Sequence, residues 1–150
     1  MKKLIIVCVL FFSFSCKKAN EVKEVQKQVA TEIKDLEECY IGLFKNDSIS
    51  MTLTIKGNIV VDGILSYNLY EKDKNKGTLV GEIKGDTLFA DYTFISEGIT
   101  SIRQVAFLKK GTNYVEGYGE SIEKAGEMVF KETKKLDFNS PTVLVKQDCH

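Results

Sequence analysis

The sequence predicts an all-β domain: an antiparallel up-and-down meander of about eight strands that closes into a small barrel. Three observations carry that expectation. Apolar and polar residues alternate with period two from Cys39 onward, most plainly over 48–56, where Ile49, Met51, Leu53 and Ile55 share one face and Ser48, Ser50, Thr52 and Thr54 the other. Turn-forming pairs arrive at a steady beat, at Asn46-Asp47, Gly57-Asn58, Gly85-Asp86, Glu97-Gly98 and Gly111-Thr112, with a longer polar stretch from Asp73 to Gly77. Short nearest-neighbour turns favour a meander over the crossovers of a Greek key, and closure removes exposed strand edges. A two-sheet β-sandwich is the alternative arrangement.

The chain opens with two lysines and an uncharged run from Leu4 to Phe14, followed by Ser15 and Cys16. A basic start and a short apolar core make residues 1–15 a signal peptide, since a membrane-spanning helix needs about 20 apolar residues. Residues 16–38 form the next region. Between 17 and 37 the chain is charged and free of Gly and Pro, and Val22, Val25, Val29, Ile33 and Leu36 recur at spacings of three and four. That is a helical stripe, but a narrow one that buries little area, so the segment reads as a partly helical or disordered tether rather than a packed helix. The barrel domain is expected over 39–150, with strands at about 39–45, 48–56, 59–70, 77–84, 87–95, 99–109, 112–119 and 127–133, and an edge piece at Val143 to Lys146. An outer-membrane barrel would need aromatic girdles on lipid-facing strands, and the tyrosines here are scattered.

Residues 16–150 carry 19 basic and 21 acidic side chains, a formal charge of −2, with Arg103 the sole arginine. That balance excludes a nucleic-acid partner, which requires a basic face. Cys8 leaves with the signal and Cys16 heads the anchor region that follows it, so Cys39 and Cys149 remain as an even pair in an exported chain and are expected to form a disulfide. A metal site at Asp148, Cys149 and His150 would need a reduced cysteine and a further ligand not found nearby in sequence. No metal and no cofactor are expected.

Signals of catalysis are sparse. The only histidine is the terminal residue, and no Ser, His and Asp set is present. Asp91 paired with Glu116 or Glu120 could serve acid–base chemistry if the strands aimed them inward. Gly117, Tyr118 and Gly119 lie in an expected strand with no helix behind them, so they read as a bend and not a phosphate loop. Arg103 shares its face with Val105 and Phe107, while Ile102, Ala106 and Leu108 make the other face equally apolar, so parity does not settle where it points. An outward arginine with its stem on its neighbours is the preferred reading. Facing inward, it would pair with Asp91 or Glu116, or bind an anionic head group in a cavity lined by Tyr92, Tyr114 and Phe107.

Ser15 and Cys16 resemble the end of a lipoprotein signal, in which a small residue precedes an acylated cysteine; Ser13 and Phe14 stand where such signals usually carry Leu and a small residue. The run GEIKGDTLFADYTFISEGITSIRQVAFLKK, with the Cys39-Tyr40 opening and the terminal Cys149, resembles a group of short lipoproteins of Gram-negative bacteria, and the meander is loosely similar to lipocalin-like barrels, without the Trp of true lipocalins. The resemblance implies lipidation of Cys16 and an address in the cell envelope, with Lys17 in place of an acidic residue favouring the periplasmic face of the outer membrane. It implies no reaction. The expected function is therefore a membrane-anchored, non-enzymatic domain that binds a small hydrophobic or anionic ligand. A filled barrel acting on an envelope partner is the alternative, and a carboxylate-based hydrolase is the least favoured.

Overall fold

The computed structural model describes residues 34–72 and 74–149. Ten strands follow in order: β1 (Leu36–Phe44), β2 (Asp47–Lys56), β3 (Ile59–Asn68), β4 (Asn75–Lys84), β5 (Thr87–Ser96), β6 (Ile99–Lys110), β7 (Asn113–Gly117), β8 (Ser121–Lys124), β9 (Glu127–Phe130) and β10 (Val143–Gln147). Strands β1 to β7 pair in sequence order, and β10 inserts between β7 and β1, antiparallel to both. The result is a closed eight-stranded antiparallel barrel, as the alternation and the turn rhythm predict, and not a sandwich. The segment at Val143 to Lys146 is no edge: it is the strand that closes the wall.

Two-residue turns set the registers. Phe44 faces Asp47 across Lys45-Asn46, Lys56 faces Ile59 across Gly57-Asn58, and Ser96 faces Ile99 across Glu97-Gly98. At the last of these both central residues have positive φ, 51° and 80°, which matches the right-handed twist of the flanking strands; Gly98 adopts it without strain and Glu97 does so at some cost. On β4 the inward Gly77 leaves room for its neighbour: a Cβ there would run into the Thr93 carbonyl on β5.

Alternation fixes the interior. Ile49, Met51, Leu53 and Ile55 all point inward, joined by Tyr40, Val60, Leu65, Leu79, Leu88, Tyr92, Phe107, Tyr114 and Leu144. Leu36, the last member of the expected helical stripe, lies in β1 and is exposed, while Val22, Val25, Val29 and Ile33 lie outside the described residues.

The run expected as a barrel strand at 127–133 behaves differently. β8 and β9 form a hairpin outside the barrel, and β8, which the sequence pattern did not suggest, has every residue exposed. Residues 118–142 are an excursion: Tyr118 and Asp137 exchange backbone hydrogen bonds at 2.9 and 2.8 Å, so the chain leaves the wall at Tyr118 and returns alongside it. On the return the Phe138 ring lies against Gly117, where a side chain would collide with it. This covering segment explains why Val115 is buried, although its position on β7 is opposite in parity to the inward Tyr114 and Glu116.

Candidate functional site

The two ends of the barrel are built differently. One end carries the β2–β3, β4–β5 and β6–β7 turns together with the chain terminus; the other carries the β1–β2, β3–β4 and β5–β6 turns and the excursion. At the first, Glu38 is buried, and its carboxylate accepts hydrogen bonds from Lys146 Nζ at 2.6 Å and the Tyr40 hydroxyl at 2.6 Å, with Lys109 Nζ at 3.9 Å. Burial alone would raise the Glu38 pKa, but the hydrogen bonds from Lys146 and Tyr40 and the charge of Lys109 outweigh it and hold the group below its ordinary value. Tyr40 packs edge-on to Tyr114 at 5.0 Å, and burial and the Glu38 charge push the Tyr114 hydroxyl up to about 12. The Cys39–Cys149 disulfide ties β1 to the chain beyond β10 at this same end. Glu37 approaches both sulfurs, yet the bonded pair offers no thiolate to a metal, which also takes Cys149 out of the metal alternative.

The opposite end holds a cavity of about 570 Å³, within the usual range for small-molecule sites. Its origin is a mismatch of lengths. β6 has 12 residues and β7 only 5, and they pair only from Ala106 to Lys110, so the first half of β6 has no barrel neighbour on that side. β9 meets it there instead: Met128 stands opposite Arg103, and the Phe130 N–H donates to Gln104 Oε1 at 3.2 Å.

Arg103 faces this cavity, which corrects the preferred outward reading. Its register decides the point, since it stands directly across from the inward Tyr92 and alternates with the buried Val105 and Phe107. The guanidinium carbon lies 5.2 Å from the Tyr67 ring centroid, 5.5 Å from that of Tyr92 and 5.6 Å from that of Phe94. These cation–π contacts hold the head group in place without satisfying any of its N–H donors. Its Nε is fully buried with no hydrogen-bond partner, and among the described residues no carboxylate lies within ion-pair distance of it.

Glu116, on β7, is the second charged group of the cavity and is 4 % exposed. Its two oxygens accept from the Tyr67 hydroxyl at 2.6 Å and the Tyr118 hydroxyl at 2.8 Å. Burial raises the Glu116 pKa, and the two tyrosines and the Arg103 charge only partly offset that rise. Burial and the neighbouring carboxylate push both tyrosine hydroxyls up, so they remain donors. At the rim, Asp47 accepts from the exposed Tyr70 N–H at 2.7 Å. Phe44, Ile49, Leu69, Val105 and Phe130 supply the apolar wall.

Of the side chains singled out in the sequence, Arg103 and Glu116 meet in this cavity, with Tyr92 beneath the guanidinium. Tyr92, Tyr114 and Phe107, expected to line it, are fully buried in the packed interior and do not. Asp91 is on the outer face of β5 and exposed, because the inward positions of that strand are Leu88, Ala90 and Tyr92; Glu120 is exposed and pairs with Lys131. The inward carboxylate pair considered for acid–base work is therefore not formed. Cys16 and His150 lie outside the described residues. Tyr67, Phe94 and Gln104 are not marked in the sequence, where the parity of Tyr67 with the inward Leu65 is the available signal, and Gly117, Tyr118 and Gly119, which read there only as a bend, line the cavity. No protein-family model, curated protein or solved structure matches the chain.

Proposed function

We propose that this protein is a lipid-anchored, non-enzymatic binding protein of the cell envelope, whose barrel takes a small amphiphile with an anionic group into the mouth cavity. The observation that carries the reading is Arg103: a half-buried guanidinium held over aromatic rings, its Nε fully buried without a hydrogen-bond acceptor, facing a cavity with an apolar wall. Leaving such donors unsatisfied costs stability, and an anionic head group supplies what they lack. A closed barrel packed at one end and open at the other also supports the lipocalin-like resemblance. Export and acylation of Cys16 rest on residues 1–16, and the Cys39–Cys149 disulfide fits the oxidising compartment that export would give. The periplasmic face of the outer membrane is the proposed address.

The packed half of the barrel favours a second reading, an envelope protein that acts on a partner through its outer surface. Fluorescence titration with 1-anilinonaphthalene-8-sulfonate separates the two. A saturable site lost in Arg103→Gln supports the mouth; binding indifferent to that substitution supports the surface. Intact mass of the protein from its host, starting at Cys16 and carrying a diacylglycerol and an amide-linked acyl chain, tests the anchor.

A further inference from the structure

Resting on the reading of the mouth as an anion-binding cavity, we infer that occupancy of this site is proton-linked: Glu116 takes up one proton from solvent when an anion binds at Arg103. Charge balance in the cavity dictates it. Among the described residues, the inner part of the cavity holds one cation, Arg103, with its Nε buried, and one buried carboxylate, Glu116, which sum to zero. A monoanion entering beside Arg103 leaves a net negative charge among groups shielded from water, where like charges repel strongly. Protonation of Glu116 restores neutrality.

The groups around Glu116 permit that step and offer no other site for the proton. From β3 comes Tyr67, from β6 Arg103, from β5 Tyr92 and from the end of β7 Tyr118, whose oxygen has the Ser140 hydroxyl beside it. Phe44 at the end of β1 and Thr142 before β10 do not titrate, and Asp47 on β2 sits at the exposed rim, where water screens it. The tyrosines already hold their protons and a guanidinium offers no acceptor, so the carboxyl takes the proton. Once protonated, Glu116 becomes a donor to one of its tyrosines. Tyr118 is the one able to turn its hydrogen away, because it lies at the cavity's edge beside Ser140, whereas Tyr67 is buried.

Two consequences follow. The site discriminates by charge number: a monoanion is neutralised by one proton on Glu116, while a dianion leaves a residual charge. It also binds more tightly in acid, with affinity changing by up to about tenfold per pH unit where a full proton is exchanged.

The test is calorimetric titration of the full-length protein with octyl sulfate, whose head group does not itself titrate, in buffers of different ionisation enthalpy at about pH 6 and about pH 8. We expect proton uptake approaching one per ligand at the higher pH, and affinity on the order of tenfold or more weaker there than at the lower. Glu116→Gln should bind with no proton uptake and no pH dependence. In Tyr118→Phe, which removes one donor to the carboxylate, the pH-dependent range should move upward. Octyl sulfate binding without proton uptake overturns the linkage and leaves the anion site standing, as does a pH dependence that survives in Glu116→Gln. Failure of octyl sulfate and octanol alike to bind at either pH overturns the linkage together with the reading beneath it.

Discussion

Each end of this barrel buries a glutamate against tyrosine hydroxyls, and the two carboxylates come out on opposite sides of their ordinary behaviour. Glu38 has Lys146 in contact and Lys109 close by, and its pKa falls; Glu116 has tyrosines and an arginine committed to aromatic rings, and its pKa rises. Both carboxylates are shielded from water, but Glu116 has far more protein packed around it than Glu38, and no cation's donors reach it. Depth and the missing donors together separate a carboxylate that locks strands together from one left poised in a cavity.

The largest effect should come from breaking the locked end. Replacing both Cys39 and Cys149 with serine opens a link between positions 110 apart, and denaturant unfolding should show a loss of roughly 4–5 kcal/mol. Packing comes next. Leu88→Ala, in the filled half, should cost about 2–5 kcal/mol, whereas Phe130→Ala at the mouth, where the ring is half-exposed, should cost under about 1 kcal/mol. Equal losses would mean that the two halves are packed alike.

The paired glutamates give the sharpest contrast. Glu38→Gln should destabilise at neutral pH by about 1–2 kcal/mol, a figure held down because Lys146 and Lys109 are 42 % and 38 % exposed and can turn to water. Glu116→Gln should be neutral or stabilising by up to about 1 kcal/mol, since it removes a charge that burial disfavours. The pH dependence separates them by sign. Glu38 has a lowered folded pKa, so its contribution is full above the ordinary glutamate range and is lost as pH falls through the folded value. Glu116 has a raised folded pKa, so its contribution is present in acid and lost as pH rises through the folded value. Melting temperature against pH should therefore lose its acid-side slope in Glu38→Gln and part of its neutral-side decline in Glu116→Gln.

Much of the wall was legible in the sequence because strands with one wet face alternate cleanly, as β2 does. β6 was not, and the reason is structural: β9 and the returning segment run beside this stretch of wall, Ala106 is buried and Ile102 and Leu108 are half-buried, so both faces are apolar and parity loses its meaning at Arg103. Tyr67 and Glu116 are 49 positions apart, and nothing local in either strand announces that they meet. β8 escaped notice because a hairpin exposed on every residue carries no burial pattern to read.

The mouth owes its existence to a shortfall of β7 against β6, made up by residues 118–142, which leave the wall and come back to it. The cover of the pocket is thus encoded apart from the wall strands that carry Arg103, Glu116 and Tyr67. Lengthening, shortening or exchanging the hairpin within that excursion would resize the opening and change what lines it, while the disulfide, the Glu38 lock and the filled half stay as they are. For engineering, that makes the excursion the place to graft new selectivity onto a barrel whose stability is decided elsewhere.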